Sequence, residues 1–228
     1  MEVRGRFACA VASLLTAMVV APAHAVVVQT FGPGSAVGTV DATADFEDRA
    51  ALTDNPYVEN GLSFTRTNLS FNNNGCGFAG CQGQAGIPTG TGNYMYGTGS
   101  GGYFSIAAPT GDVFSGLEFL MGTGFFSFPP NFVIWEAFLG GSPVGSGAVT
   151  LNAIEVIGFS DPNGFDLLRF SASFAANVNF TDSVNAPAFD QVRADLGTGT
   201  RIPEPGSIAL IATGLFGVFF ARRRLAKR

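Results

Sequence analysis

The chain has 228 residues, 46% hydrophobic and only 13% charged, with a formal net charge of −5. Low charge combined with 23 Phe excludes a disordered chain. The acidic balance excludes nucleic acid as a partner, because an acidic surface attracts no phosphate.

In chain order, Arg4 and Arg6 precede an apolar stretch from Phe7 to Val20 and then Ala21-Pro22-Ala23-His24-Ala25. A charged start, an apolar middle and an Ala-x-Ala end form a signal peptide over residues 1–25, with Ala23 and Ala25 at the cleavage site. The expected handlers are the Sec translocon and signal peptidase. The remainder up to residue 196 is the right size for one domain. Between 26 and 202 stand five Arg, no Lys and fifteen Asp or Glu, a net charge of −10.

The 31 Gly set turns around short, Phe-rich strands. Val26–Phe31 and Val37–Phe46 open the series. Asn60-Gly61 is a tight turn signal, and Leu62–Phe71 alternates after it. Residues 72–92 are a Gly/Asn-rich loop. There Cys76 and Cys81, a close pair in an oxidising compartment, predict a disulfide. Asn93–Gly97, Gly102–Ala107, Val113–Met121, Phe132–Leu139, Val144–Leu151 and Ile154–Phe159 follow as strands. Asp161-Pro162-Asn163-Gly164 has the composition of a turn. Phe165–Phe174 and Ala188–Leu196 close the domain. About ten short strands with frequent turns predict an all-β fold. The expected architecture is a jelly-roll-like β-sandwich over 26–196, with an open barrel as the alternative.

Chemistry is scarce. The single histidine, His24, lies in the signal peptide, so the domain has none for a Ser-His-Asp triad, a Cys-His pair or a His-ligated metal. A glycoside hydrolase needs only two carboxylates about 5–10 Å apart. Glu118, Glu136 and Glu155 on predicted strands are candidates for that alternative, and solvated outward positions are their ordinary fate. Asp45, Glu47 and Asp190 are candidate oxygen ligands for a structural calcium ion, or else an exposed acidic face. Tyr94, Tyr96, Tyr103 and Trp135 are candidate sugar-stacking rings, or else core.

After a polar linker, 197–202, the chain ends in Pro203-Glu204-Pro205, an uncharged apolar run 207–221, then Arg222, Arg223, Arg224, Lys227 and Arg228. Fifteen helical residues span about 22 Å against a hydrocarbon core of about 30 Å. That predicts a thin transmembrane helix whose basic end stays on the cytoplasmic side. The prolines stop the helix from growing backwards. A short motif, an apolar helix and a basic stop form the layout of a removable sorting signal.

Residues 202–224 resemble the PEP-CTERM sorting signal of Gram-negative bacteria, which also goes under the label of an ice-binding-protein C-terminal domain. The resemblance implies an exosortase as partner, acting at Pro203-Glu204-Pro205. It also implies transient membrane anchoring, arrival at the cell surface or outside it, and a link to exopolysaccharide and biofilm. Phe189-Asp190-Gln191-Val192 is similar to the Phe-Asp-Asn-Val closing strand of many such chains, with Gln191 where Asn is common. The expected role is non-catalytic, structural or carbohydrate-binding; a secreted carboxylate-based glycoside hydrolase is the alternative.

Overall fold

The computed structural model describes residues 26–47, 54–71, 93–98, 101–122, 131–173, 179–180 and 188–198. All of these fall within one compact unit, Ala25–Thr200. The expected signal peptide with Ala23 and Ala25 at its cleavage site, the Cys76–Cys81 pair expected to form a disulfide, and the sorting signal lie outside the described residues.

Thirteen strands and no α-helix make up the described residues. They are β1 (Val28–Phe31), β2 (Ala42–Ala44), β3 (Tyr57–Glu59), β4 (Leu62–Thr67), β5 (Ser70–Phe71), β6 (Met95–Thr98) and β7 (Tyr103–Ala107). Next come β8 (Asp112–Gly122), β9 (Asn131–Leu139), β10 (Ser142–Leu151), β11 (Glu155–Phe165), β12 (Leu167–Ser173) and β13 (Ala188–Thr198). The first sheet runs β1-β11-β8-β13-β6-β5, with β2 also paired to β13. The second runs β10-β9-β12-β7-β4-β3. Every pairing is antiparallel.

Period-two alternation turns one face of each sheet toward the other. Phe119 on β8 and Phe189 on β13 meet Phe170 on β12, with ring centroids 4.8 and 5.0 Å apart. Phe104 on β7 stands 5.0 Å from Phe189, and Trp135 on β9 stands 5.2 Å from Phe159 on β11. Rings from both sheets therefore form one core. Burying each phenylalanine contributes about 1.5–3 kcal/mol before entropy is counted.

Turn chemistry sets the hairpins. Asn60 and Gly61, at φ 47° and 84°, join β3 to β4; Gly140 and Gly141, at 57° and 81°, join β9 to β10. Left-handed backbone at both central residues matches the twist of the flanking strands. The expected turn at Asp161–Gly164 is not a chain reversal. Asp161 Oδ1 accepts the Asn163 N–H at 2.8 Å, so the local turn forms. It bulges out of β11, however, and pairing with β8 jumps from Ser160↔Gly116 to Phe165↔Phe114. The expected strand 62–71 breaks at Asn68, φ 54°. The expected strand 37–46 shrinks to β2, and β3 adds a strand absent from the sequence expectation.

The Phe189-Asp190-Gln191-Val192 segment is a second bulge. Its pairing with β8 is irregular between Asp190 and Arg193, and Gln191 has φ 52°. The extra residue lets Phe189 and Val192, three apart, both face the core. Left-handed backbone costs an L-residue about 1–2 kcal/mol, and Asn tolerates it better than Gln. Gln191→Asn is expected to raise unfolding free energy by about 0.5–1 kcal/mol, a fraction of that penalty. Chemical denaturation of the two chains measures it.

Candidate functional site

The best-defined polar site lies on the outer face of the first sheet. Here β1 sits at one edge, while β2 pairs with the far side of β13. The connection, residues 32–41, therefore crosses the face of β11, β8 and β13 as a strap. Its two ends continue the β1–β11 and β2–β13 ladders, and its middle bonds to side chains of the sheet beneath. The Gly32 N–H donates to Val156 O at 3.0 Å. The Gly34 N–H donates to the Glu118 carboxylate at 2.9 and 3.2 Å. The Thr39 N–H donates to Asp195 Oδ2 at 3.3 Å. The Asp41 N–H donates to Ala194 O at 2.9 Å, and Asp41 Oδ2 accepts the Leu196 N–H at 2.9 Å.

Glu118 lies under this strap and is 1% exposed. Its register partner across the β8–β13 ladder is Arg193, and Arg193 Nη1 donates to Glu118 Oε1 at 2.7 Å. The expectation of a solvated outward Glu118 is thus corrected: the residue does point out of the sheet, but the strap covers it. A carboxylate in that position needs both partners, since leaving one buried charge unpaired costs about 3–5 kcal/mol.

Two glycines make room for the strap. A Cβ on Gly116 would stand 2.1 Å from Ala36 O, and one on Gly158 would stand 2.6 Å from Ala36 Cβ. Neither approach is possible for a larger residue without moving the strap.

The other candidate carboxylates have local tasks. Glu155 Oε1 accepts the N–H groups of Asn152 and Ala153 at 3.1 and 3.3 Å, closing the β10–β11 turn. Glu136 is partly exposed and lies opposite Ser146 and Arg169 in register. Among the described residues no hydrogen bond joins any two of Glu118, Glu136 and Glu155.

The calcium candidates do not converge. Asp45 Oδ1 accepts the Glu47 N–H at 3.3 Å. Glu47 instead grips Asn93, accepting its N–H at 3.0 Å and Nδ2 at 2.8 Å. Asp190 is fully buried, and its Oδ1 accepts the Gln191 N–H at 2.7 Å. Among the described residues no three His, Cys, Asp or Glu side chains form a metal-holding group.

Of the four candidate stacking rings, Tyr94 and Tyr96 are 2% exposed and Trp135 is 5%. Burial pushes both tyrosine hydroxyls up to about 12, the charge of the neighbouring phenolate adding to the effect at Tyr94. Both remain neutral in ordinary conditions. Trp135 lies against Gly145 and Gly147 of β10, where a Cβ on Gly147 would stand 3.0 Å from the indole. Core packing absorbs these three. Tyr103 is half-buried, 5.1 Å from the Phe180 ring, with the Arg169 guanidinium 5.3 Å from its centroid. Arg169 also lies 4.5 Å from the Phe138 ring. In register, Thr65, Ser105, Arg169 and Glu136 form one polar row across the outer face of the second sheet.

Glu118 stands among the candidate carboxylates of the sequence, but its burial beneath a strap seated on Gly116 and Gly158 was not legible there. The one sequence signal was the pair of glycines inside otherwise continuous strands, a pattern that marks close backbone approach.

Residues 201–224 match the family model of the PEP-CTERM protein-sorting motif. The span takes in Pro203-Glu204-Pro205, the apolar run and Arg222, Arg223 and Arg224. The motif implies export, transient membrane anchoring before arrival at the cell surface, and an exosortase as processing partner. No curated protein and no solved structure matches the chain.

Gly116→Ala is expected to lower unfolding free energy by about 1–3 kcal/mol through overpacking under the strap. Gly38→Ala, whose Cβ would stand 3.8 Å from Asp195 Oδ2, is expected to change little. Thermal denaturation of both variants beside the parent checks the contrast.

Proposed function

We propose that the two-sheet unit is the cargo of the sorting signal: a non-catalytic surface or matrix protein with a structural or carbohydrate-binding role in an exopolysaccharide layer. The observation that carries this reading is the sorting motif at 201–224, which begins three positions after the last residue of β13. Residues 1–25 direct export through the Sec translocon and are then removed by signal peptidase. The apolar run 207–221 then holds the chain in the membrane, stopped by Arg222, Arg223 and Arg224, while the exosortase acts at Pro203-Glu204-Pro205.

The disposition of the domain's acids supports a non-enzymatic cargo. Glu118, Glu155, Asp41 and Asp195 all accept hydrogen bonds that hold turns or the strap in place. Within the carbohydrate-binding reading, the polar row Thr65, Ser105, Arg169 and Glu136, flanked by Tyr103 and Phe138, offers hydroxyl and guanidinium donors beside ring faces. The winding supports a jelly-roll-like topology, because the chain changes sheet at each step from β10 through β13.

The test is the intact mass of the protein recovered from cells. The expected species lacks residues 1–25 and the segment after the Pro-Glu-Pro. Replacing Pro203, Glu204 and Pro205 together by alanine is expected to leave the tail attached and the chain in the membrane fraction. Unchanged processing of that variant contradicts the reading.

A further inference from the structure

The second sheet ends in an unusual edge. β10 is ten residues long and, among the described residues, pairs only with β9, in nine register pairs from Ser142↔Leu139 to Leu151↔Asn131. The other terminal strands are short: β1 has four residues, β3 three and β5 two. The remaining strands of comparable length, β8, β9, β11 and β13, are paired on both sides.

A long edge presents a row of unpaired N–H and C=O groups, and proteins ordinarily guard such a row with charges, bends or a covering segment. The guards are sparse here. Ser142–Leu151 contains no charged residue. The one proline, Pro143, and the one irregularity, between Pro143 and Gly145, lie at the start of the strand. From Ser146 to Thr150 the register is regular, and Ser146, Ala148 and Thr150 are exposed. On the inner face, Gly145 and Gly147 are roofed by Trp135, so the strand's core side is already satisfied.

We infer that β10 is a homotypic docking edge: two copies of this chain pair β10 to β10, antiparallel across a two-fold axis, joining their six-stranded sheets into one. Three observations select a second copy as the occupant. β10 is the one strand of its length with a free edge among the described residues, so another β10 matches it in extent. A domain of net charge −10 repels its own copies, but residues 140–154 carry no acid, so the strand itself adds nothing to that repulsion. The outward residues are small, so antiparallel neighbours on the new ladder meet without clash, their Cβ atoms about 4.5–5.5 Å apart. A two-fold contact of this kind uses the same surface on both subunits. Glycines at 145 and 147 leave the register loosely fixed, so the pairing tolerates a shift of two residues.

Cysteine crosslinking of the full chain in detergent tests this. Ala148→Cys, treated with a short bis-maleimide, is expected to yield covalent dimer several-fold above both the parent chain and Val58→Cys. Val58 lies on the β3 edge and is 59% exposed. The parent controls for the native cysteines, and Val58→Cys controls for two chains sharing a micelle. Adding Thr150→Lys to Ala148→Cys is expected to return dimer to the control level with an unchanged melting curve. Dimer from Ala148→Cys no greater than from Val58→Cys overturns the proposal, and so does crosslinking that survives Thr150→Lys. A monomeric chain whose edge instead takes up an unrelated extended peptide also overturns it.

Discussion

Phe119, Phe170 and Phe189 are the point on which this architecture depends. Their centroids lie 4.8 to 5.6 Å apart, they come from both sheets, and each is fully buried. Among the described residues the backbone ladders run within each sheet, so the two sheets are held together mainly by the side chains packed between them. The aromatic contacts do cross that gap, with about 0.5–1.5 kcal/mol per ring pair beyond area burial. The bulge at Gln191 follows from the same need. Strict alternation after Phe189 would turn Val192 away from the core, and the extra residue brings it back.

With the inner faces committed to rings, the outer face of the first sheet is closed by polar means. The strap from Gly32 to Asp41 is short of partners of its own, and the sheet supplies them through Glu118, Asp195 and Ala194. The arrangement is reciprocal. The strap shelters Glu118 from water, and Glu118 with its Arg193 partner fixes the strap. The acids that make this domain so negative on paper are thus partly structural acceptors rather than a solvated charge coat.

What could be read from the sequence followed the range of the forces involved. The Asn60-Gly61 hairpin depends on backbone preference at two adjacent residues, and it formed where expected. The long strands β8, β9, β10 and β13 announced themselves by apolar content. Burial of Glu118 was not legible, because its partners stand 75 and 84 residues away in the chain. Nor was the fate of Asp161–Gly164: the local turn formed, but β8 kept pairing on both sides of it. Tyr94, Tyr96 and Trp135 had the composition of a stacking platform, and the need to fill the core decided otherwise. The tail is the opposite case, since a sorting signal is recognised as a short linear sequence and nothing distant alters it.

The central claim is a division of labour: the tail carries the address, and the sheets are what is delivered. Transplantation measures this most directly. Residues 201–228 are fused to an unrelated exported domain, and the fraction of chains trimmed and released from the membrane is followed by mass. The account predicts that the foreign domain is trimmed at the Pro-Glu-Pro and released as this protein is, while the chain ending at Thr200 is exported with no trimming or anchoring step. A foreign fusion left untrimmed in cells that process the native chain would contradict it, because the sheets would then be part of the signal.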